Sequence, residues 1–166
     1  MSKYLLFQDG KGCIGCFACE AHCKTKNKLP IGPRLSRIIP VGPKRVDNLP
    51  RMAYVFIPCF HCEEPWCMAA CPTGATQKRP KDGIIYVDQS LCIGCKSCII
   101  ACPWGVPQWN PETGKAVKCD YCMDRIDQGL KPACVTKCVT QCLSFDEASK
   151  VPDIRKERFA KMVAAF

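Results

Sequence analysis

Short apolar stretches separated by turn formers run through most of this chain. Residues 53–58 and 84–87 are rich in β-branched and aromatic side chains and predict short strands. Lys81-Asp82-Gly83 marks the turn before the second of them. Between Lys24 and Pro50 prolines stand at positions 30, 33, 40, 43 and 50, which forbids a continuous helix. That segment is predicted as an extended arm with a short strand near residues 35–41, wrapping the rest of the protein. The pattern changes at Asp153. Ile154, Phe159, Met162, Val163 and Phe166 follow one face at helical spacing, with Arg155, Lys156, Glu157, Arg158 and Lys161 mostly elsewhere. Pro152 is a suitable start for that helix. Its apolar face either lies on the protein's own surface or packs into a partner. No run of about 18 apolar residues occurs, so no membrane span is predicted.

Composition changes the picture sharply, because 17 of the 166 residues are cysteine. Such a share means a disulfide scaffold or a metal-loaded protein. The count is odd, which excludes a complete intramolecular set of disulfides. The opening residues show no basic segment followed by an apolar one and no twin arginine. A cytoplasmic location is expected, or a periplasmic one only by co-export with a partner that carries a signal. Reduced thiols at this density call for metal.

The cysteines are periodic. Cys13, Cys16, Cys19 and Cys23 are spaced C-x2-C-x2-C-x3-C, and so are Cys92, Cys95, Cys98 and Cys102. Cys59, Cys62, Cys67 and Cys71 are spaced C-x2-C-x4-C-x3-C, and Cys119, Cys122, Cys134 and Cys138 are spaced C-x2-C-x11-C-x3-C. Cys142 stands apart. A C-x2-C-x2-C-x3-C-P run is the bacterial ferredoxin signature of [4Fe–4S] ligation. Three thiolates on a tight loop reach three corners of a cubane, while the fourth points elsewhere and, in two-cluster ferredoxins, ligates the other cluster. Gly15 and Gly94 let these loops turn with positive φ and bring backbone N–H groups near sulfur. Short helices are expected to follow the fourth cysteine of each group. The last group, seen alone, also suits zinc. His22 and His61 adjoin cysteines but are read as supporting or surface residues. Trp66, Trp104 and Trp109 are read as shields against water. No phosphate loop, dinucleotide fingerprint or nucleophilic constellation is visible.

The central groups, with Pro-Thr-Gly-Ala at 72–75 and Gly83-Ile-Ile-Tyr-Val-Asp88 between them, resemble a bacterial two-cluster ferredoxin. Over residues 10–145 the order and spacing of all four groups resemble the four-cluster iron–sulfur subunits of DMSO-reductase-type complexes. That resemblance implies crossed ligation. Cys13, Cys16 and Cys19 would join Cys138; Cys119, Cys122 and Cys134 would join Cys23. Cys59, Cys62 and Cys67 would join Cys102; Cys92, Cys95 and Cys98 would join Cys71. Two departures stand out: Val139 follows Cys138 where the family usually has proline, and Cys142 replaces a small residue. The step from 138 to 142 is also x3, so Cys142 could compete. The Pro132-Ala133-Cys134 register favours Cys138, and Cys142 is not expected to be a ligand but a buried, inert thiol.

The expected fold is α+β: two ferredoxin-like modules of short strands, short helices and long loops organised around four [4Fe–4S] clusters. Residues 50–110 would form the inner module, 1–49 with 111–145 the outer one, and 146–166 a helical tail. Metal ligation would supply much of the folding free energy. The resemblance implies an electron-transfer subunit that is not itself an enzyme. It would relay single electrons between a catalytic subunit, of the molybdenum or tungsten pterin kind, and a ferredoxin or further subunit. The chain's compactness resembles the small subunits of tungsten aldehyde-oxidoreductase-type enzymes, including aromatic acyl-CoA reductases. The alternatives are a free-standing polyferredoxin that diffuses and a zinc-bearing nucleic-acid binder.

Charge bears on the last alternative. Lys and Arg outnumber Asp and Glu to give a formal +9, which on its face suggests nucleic acid. Sixteen thiolates with four oxidised cubane cores of about +2 each change this by about −8, to near +1. The basicity is then mostly counter-charge for the clusters, and no nucleic-acid partner is expected. The basic stretch 24–50 is read either as a docking surface for an acidic partner face or as a solvated surface.

Overall fold

The computed structural model describes every residue except Met1, Gly10, Lys11, Ala165 and Phe166, and only the backbone of Met162. The chain starts with strand β1 (Tyr4–Gln8), helix α1 (Ala18–Lys26) and strands β2 (Arg37–Val46) and β3 (Leu49–Ile57). Helix α2 (Trp66–Ala69), strands β4 (Thr76–Lys78) and β5 (Ile85–Val87), and helix α3 (Ser97–Ala101) follow. Then come strands β6 (Gln108–Asn110) and β7 (Lys115–Val117), helices α4 (Met123–Ile126) and α5 (Ala133–Thr136), strand β8 (Leu143–Glu147) and helix α6 (Val151–Ala164). Among the described residues the strands form four separate two-stranded antiparallel sheets: β1–β8, β2–β3, β4–β5 and β6–β7. This mixture of short strands and short helices is an α+β fold.

Pairing of β1 with β8 joins the two ends of the chain, with Tyr4 opposite Glu147 and Leu6 opposite Phe145. Its inner face supplies the main core. Tyr4 stacks on Phe145 at 5.1 Å, and Tyr121 meets the edge of Phe145 at 5.2 Å. Leu6, Ile38, Phe56, Ile84 and Leu143 complete this core together with Cys19, Cys134 and Cys142.

The proline-rich arm is a β-hairpin, which corrects the expected wrapping arm. Residues 40–53 are all exposed, so only its base lies on the body while the tip projects. A two-stranded ribbon has two free edges, so prolines with no N–H to give fit within it. Pro40 lies opposite Tyr54 and Pro50 opposite Arg45, with the register broken between Val41 and Lys44. Asp47 and Asn48 turn the ribbon with φ of 51° and 60°, the two-residue geometry that matches strand twist. Two buried or half-buried polar side chains fasten its base. Gln8 donates from Nε2 to the Tyr54 carbonyl at 2.6 Å and accepts the Phe56 N–H at 2.6 Å. Glu20, buried on α1, accepts from the Ile38 N–H and from Arg34 at 3.2 Å.

The helices also differ from expectation. In each group a helix holds the third cysteine rather than following the fourth: α2, α3 and α5 end before the fourth, whereas α1 carries the fourth and continues past it to Lys26. Cys19 and Cys23 both lie on α1, while Cys67, Cys98 and Cys134 lie on α2, α3 and α5, each just before the fourth cysteine of its group. The x3 step places third and fourth cysteines at i and i+4, one helical turn apart. Pro72 and Pro103 then stop two of these helices.

Helix α6 does begin where the sequence predicts, with Pro152 in its first turn. Val151 is buried and Ile154 half-buried, whereas Phe159 is 63% exposed. Arg158 holds the helix to the body through the Gln141 carbonyl at 2.9 Å and the Ser144 hydroxyl at 2.5 Å. The Met162 side chain and Phe166 fall outside the described residues. A further tie links the middle of the chain to α4: Arg79 pairs with buried Asp82 and with Asp127 at 2.9 Å, and Lys81 reaches Asp127 at 2.7 Å.

Four thiol-lined cavities

Four cavities carry the candidate chemistry. Cys13, Cys16, Cys19 and Cys138 line the first, and Cys142 joins them there. Cys23, Cys119, Cys122 and Cys134 line the second. Cys59, Cys62, Cys67 and Cys102 line the third, and Cys71, Cys92, Cys95 and Cys98 the fourth. Counted out to their mouths, the free spaces are about 300, 330, 770 and 300 Å³ respectively. Each cavity takes three cysteines from one run and one from another. The i, i+4 step explains this, since the third and fourth cysteines, about one turn apart on or just past a short helix, serve two neighbouring cavities.

The loops before those helices turn through the left-handed region. In the first run Gly15 has φ 69° and Phe17 φ 58°; in the third Gly94 has φ 70° and Lys96 φ 65°. The two loops are conformational twins. Space as well as φ demands glycine at 94, where an added Cβ would collide with the Gly114 carbonyl and lie 3.1 Å from the Trp109 ring. Gly94→Ala is therefore expected to cost about 2–4 kcal/mol, from left-handed strain plus overlap with backbone. Thermal unfolding of the iron-loaded protein checks this, and an unchanged midpoint would contradict it.

Burial governs the thiols. It pushes Cys19 up to about 12 and Cys98 up to about 11, with neighbouring thiolates adding to the rise. Cys119 and Cys134 are driven well above the usual thiol range, by burial first and by adjacent thiolates second. At Cys71 burial acts the same way, but hydrogen bonds from Thr76 and Thr73 outweigh it and bring the thiol down to about 7. Cys95 is lowered by the Ser97 hydroxyl and N–H. Sets of this kind become thiolates together only around a strongly cationic occupant. Among the described residues no three His, Cys, Asp or Glu side chains converge on a point suited to one metal ion. The thiols surround a space. Cys138 moreover opens into a different cavity from Cys119, Cys122 and Cys134, which removes the four-cysteine zinc site that the last run suggested.

Comparison with known proteins agrees with this chemistry. Residues 50–148 match the 4Fe-4S dicluster domain family. The chain belongs to that family. It is 42% identical over 146 residues to the thiosulfate reductase electron transfer subunit PhsB of Salmonella typhi, covering 87% of this chain and 76% of that protein. It is 39% identical over 163 residues to the B subunit of the anaerobic dimethyl sulfoxide reductase of Escherichia coli K12, covering 94% and 78%. It is also 38% identical over 149 residues to the B subunit of the polysulfide reductase of Wolinella succinogenes, covering 89% and 78%. The chain is thus an electron-transfer iron–sulfur protein of the DMSO-reductase type, with [4Fe–4S] clusters as cofactors and no catalytic role of its own.

One of two orphaned polar atoms in this iron–sulfur protein faces the space such an occupant would fill. Among the described residues the buried side-chain atoms without a nitrogen or oxygen hydrogen-bond partner are Ser36 Oγ, which faces the Cys23 thiol, and His61 Nε2. Ser36 lines the second cavity, so its hydroxyl has a sulfur-rich space to donate into. His61 accepts the Ile85 N–H at Nδ1 over 2.9 Å, which puts its own proton on Nε2. Burial, helped by nearby Lys118, holds the ring well below the usual histidine range and hence neutral. It lies 3.8 Å from the Tyr121 ring, which itself lines the second cavity. Buried donors without acceptors are rare in native proteins, and cluster sulfurs are acceptors, which suits Ser36 at the second cavity; His61 lines none of the four cavities.

Several supporting residues carry no sequence signal. Lys118 is buried, lines the third cavity and donates to the carbonyls of Ile85 and of Cys119, the latter at 2.7 Å. It reads in sequence like any surface lysine. Trp66 and Trp104 stand at the mouth of the third cavity but are 62% and 56% exposed, so they rim it and do not seal it. Trp109 packs at Gly94 under the Lys96 ammonium, 4.3 Å from the ring centroid. His22 is exposed. Among the described residues no helix is long and apolar enough to cross a membrane.

Proposed function

We propose that the chain is the relay subunit of a reductase complex, holding four [4Fe–4S] clusters through sixteen cysteines and leaving substrate chemistry to another subunit. The observation that carries this is the set of four cavities, each lined by four thiols drawn from two runs, with Cys142 as a fifth in the first. When bound, such clusters take up and release single electrons, which divides one long transfer into short steps. The protein's part is to fix their order. Helix α1 supplies Cys19 to the first cavity and Cys23 to the second, and α5 with the turn after it supplies Cys134 to the second and Cys138 to the first; α2 and α3 with the residues just after them join the third and fourth in the same way. Adjacent residues Lys118 and Cys119 line the third and second cavities, and the Cys59 thiolate is among the charges that raise Cys119. These observations support the proposed order first–second–third–fourth, and with it the proposed outer module at 1–49 and 111–145, inner module at 50–110 and tail at 146–166.

The relatives named for thiosulfate, dimethyl sulfoxide and polysulfide reductases support a catalytic subunit of the molybdenum or tungsten pterin kind. A ferredoxin or further subunit would be the other partner, with no nucleic acid involved and a cytoplasmic location. The projecting hairpin, which carries Lys44, Arg45 and Arg51 against Asp47 at an exposed tip, suits an acidic face on the catalytic subunit. Anaerobic purification from the native host at low ionic strength should yield about 16 irons per chain together with a stably bound second polypeptide. Replacing Lys44, Arg45 and Arg51 together by Gln should weaken that association without changing iron content. A fully loaded chain that elutes alone would instead favour the diffusible polyferredoxin.

A further inference from the structure

The first cavity holds five thiols. Cys138 Sγ and Cys142 Sγ lie 3.5 Å apart, and both line the space defined by Cys13, Cys16 and Cys19. They stand at the two ends of one tight turn, closed by the Gln141 N–H donating to the Cys138 carbonyl at 3.1 Å with Gln141 at φ 53°. Their settings differ. Cys138 follows the end of α5 and is half-buried, beside the Thr140 hydroxyl at 3.9 Å. Cys142 is 5% exposed, immediately precedes β8, and its carbonyl accepts the Asp9 N–H at 2.8 Å. A buried thiol in a core usually points at apolar neighbours; this one shares a cluster cavity with four others. A displacement of a few ångström along one turn would present either sulfur to the same corner.

We propose that Cys142 is an alternative fourth ligand of the cluster in the first cavity, exchanging with Cys138. The proposal rests on the ligand reading given above. In the exchange the iron–sulfur bond to Cys138 breaks and one to Cys142 forms. The Cys142 thiol proton passes to the Cys138 sulfur, and no electron is gained or lost. The first cavity, alone of the four, then has a ligand pair of unequal exposure. A neighbouring subunit that covers or uncovers the 138–141 turn selects between them.

The test compares Cys138→Ala, Cys142→Ala and the double variant, as full chains prepared anaerobically, by iron content and by EPR of the reduced protein. Both single variants should keep about 16 irons. The native chain should show two sub-spectra for one cluster, and each single variant should retain one of them. The double variant should lose that cluster or leave it with three irons. Cys142→Ala is a small change at a buried position and reads out even where Cys138→Ala fails to load. A native spectrum unaltered by Cys142→Ala overturns the exchange, and so does a three-iron or missing cluster in Cys138→Ala alone; both leave the ligand reading standing. If the double variant keeps all four clusters intact, the assignment of Cys138 to the first cavity falls, and the exchange with it.

Discussion

Complete removal of iron should unfold most of this protein. Among the described residues each sheet has two strands, and a two-stranded ribbon is marginal in water by itself. The cores do not compensate, because cysteines are built into them. Ile85 and Ala116 in the smaller core are buried beside Cys67 and Cys98, and Cys19, Cys134 and Cys142 belong to the larger one. Once the clusters leave, these walls face voids, and a cavity in a core costs both contacts and transfer free energy. The third cysteine on each short helix and the fourth, on it or just after it, also lose their anchors, and helices of one turn do not persist alone. The lost ligation free energy should exceed the roughly 5–15 kcal/mol by which domains are ordinarily stable. Near-UV CD after anaerobic chelation is the direct measurement. Tyr121, packed against His61 and Phe145, should lose its ordered signal and regain it when iron and sulfide are returned. A native-like near-UV spectrum in iron-free protein would show that packing alone holds the fold.

Much of the chemistry is legible in the chain, and much of the architecture is not. Regular cysteine spacing announces [4Fe–4S] ligation because a cubane requires thiolates at set separations on a tight loop. The tail helix and strands β3 and β5 are visible through their own periodicity. The hairpin is not, because prolines dominate residues 24–50 and mask the Asp47-Asn48 turn that folds them back. Pairing of β1 with β8 joins segments at opposite ends of the chain, which local patterns do not report. Helix placement escapes the sequence for a related reason. The x3 step looks like the approach to a helix, whereas one helical turn is itself the device that sends consecutive cysteines to two cavities. Gln8, Glu20, Ser36 and Lys118 are ordinary polar residues in sequence, and only the fold makes them the fasteners and donors around the cavities.

Cys23→Ala should remove the cluster of the distant Cys119 run and spare that of its own neighbours Cys13, Cys16 and Cys19. The reason is geometric. Cys19 and Cys23 are both buried on α1, one turn apart, yet Cys19 opens into the first cavity and Cys23 into the second. In the second cavity Cys23 sits beside Ser36 and within reach of the Asn27 amide, which lies 3.6 Å from its sulfur. No other thiol there can replace it, since the remaining three are Cys119, Cys122 and Cys134. Iron content should fall from about 16 to about 15 if three irons stay, or to about 12 if the cluster is lost. Because the second cavity is interior in the proposed order, electron flow from end to end should drop by orders of magnitude. Cys16→Ala, which touches only the first cavity, should leave transfer among the other three intact. EPR of the reduced variants decides the matter. Cys23→Ala and Cys122→Ala, far apart in sequence, should abolish the same spectral component, whereas Cys23→Ala and Cys16→Ala, close in sequence, should abolish different ones. If the two close neighbours removed one and the same component, each cysteine run would hold its own cluster, and the crossed arrangement that orders the relay would be wrong.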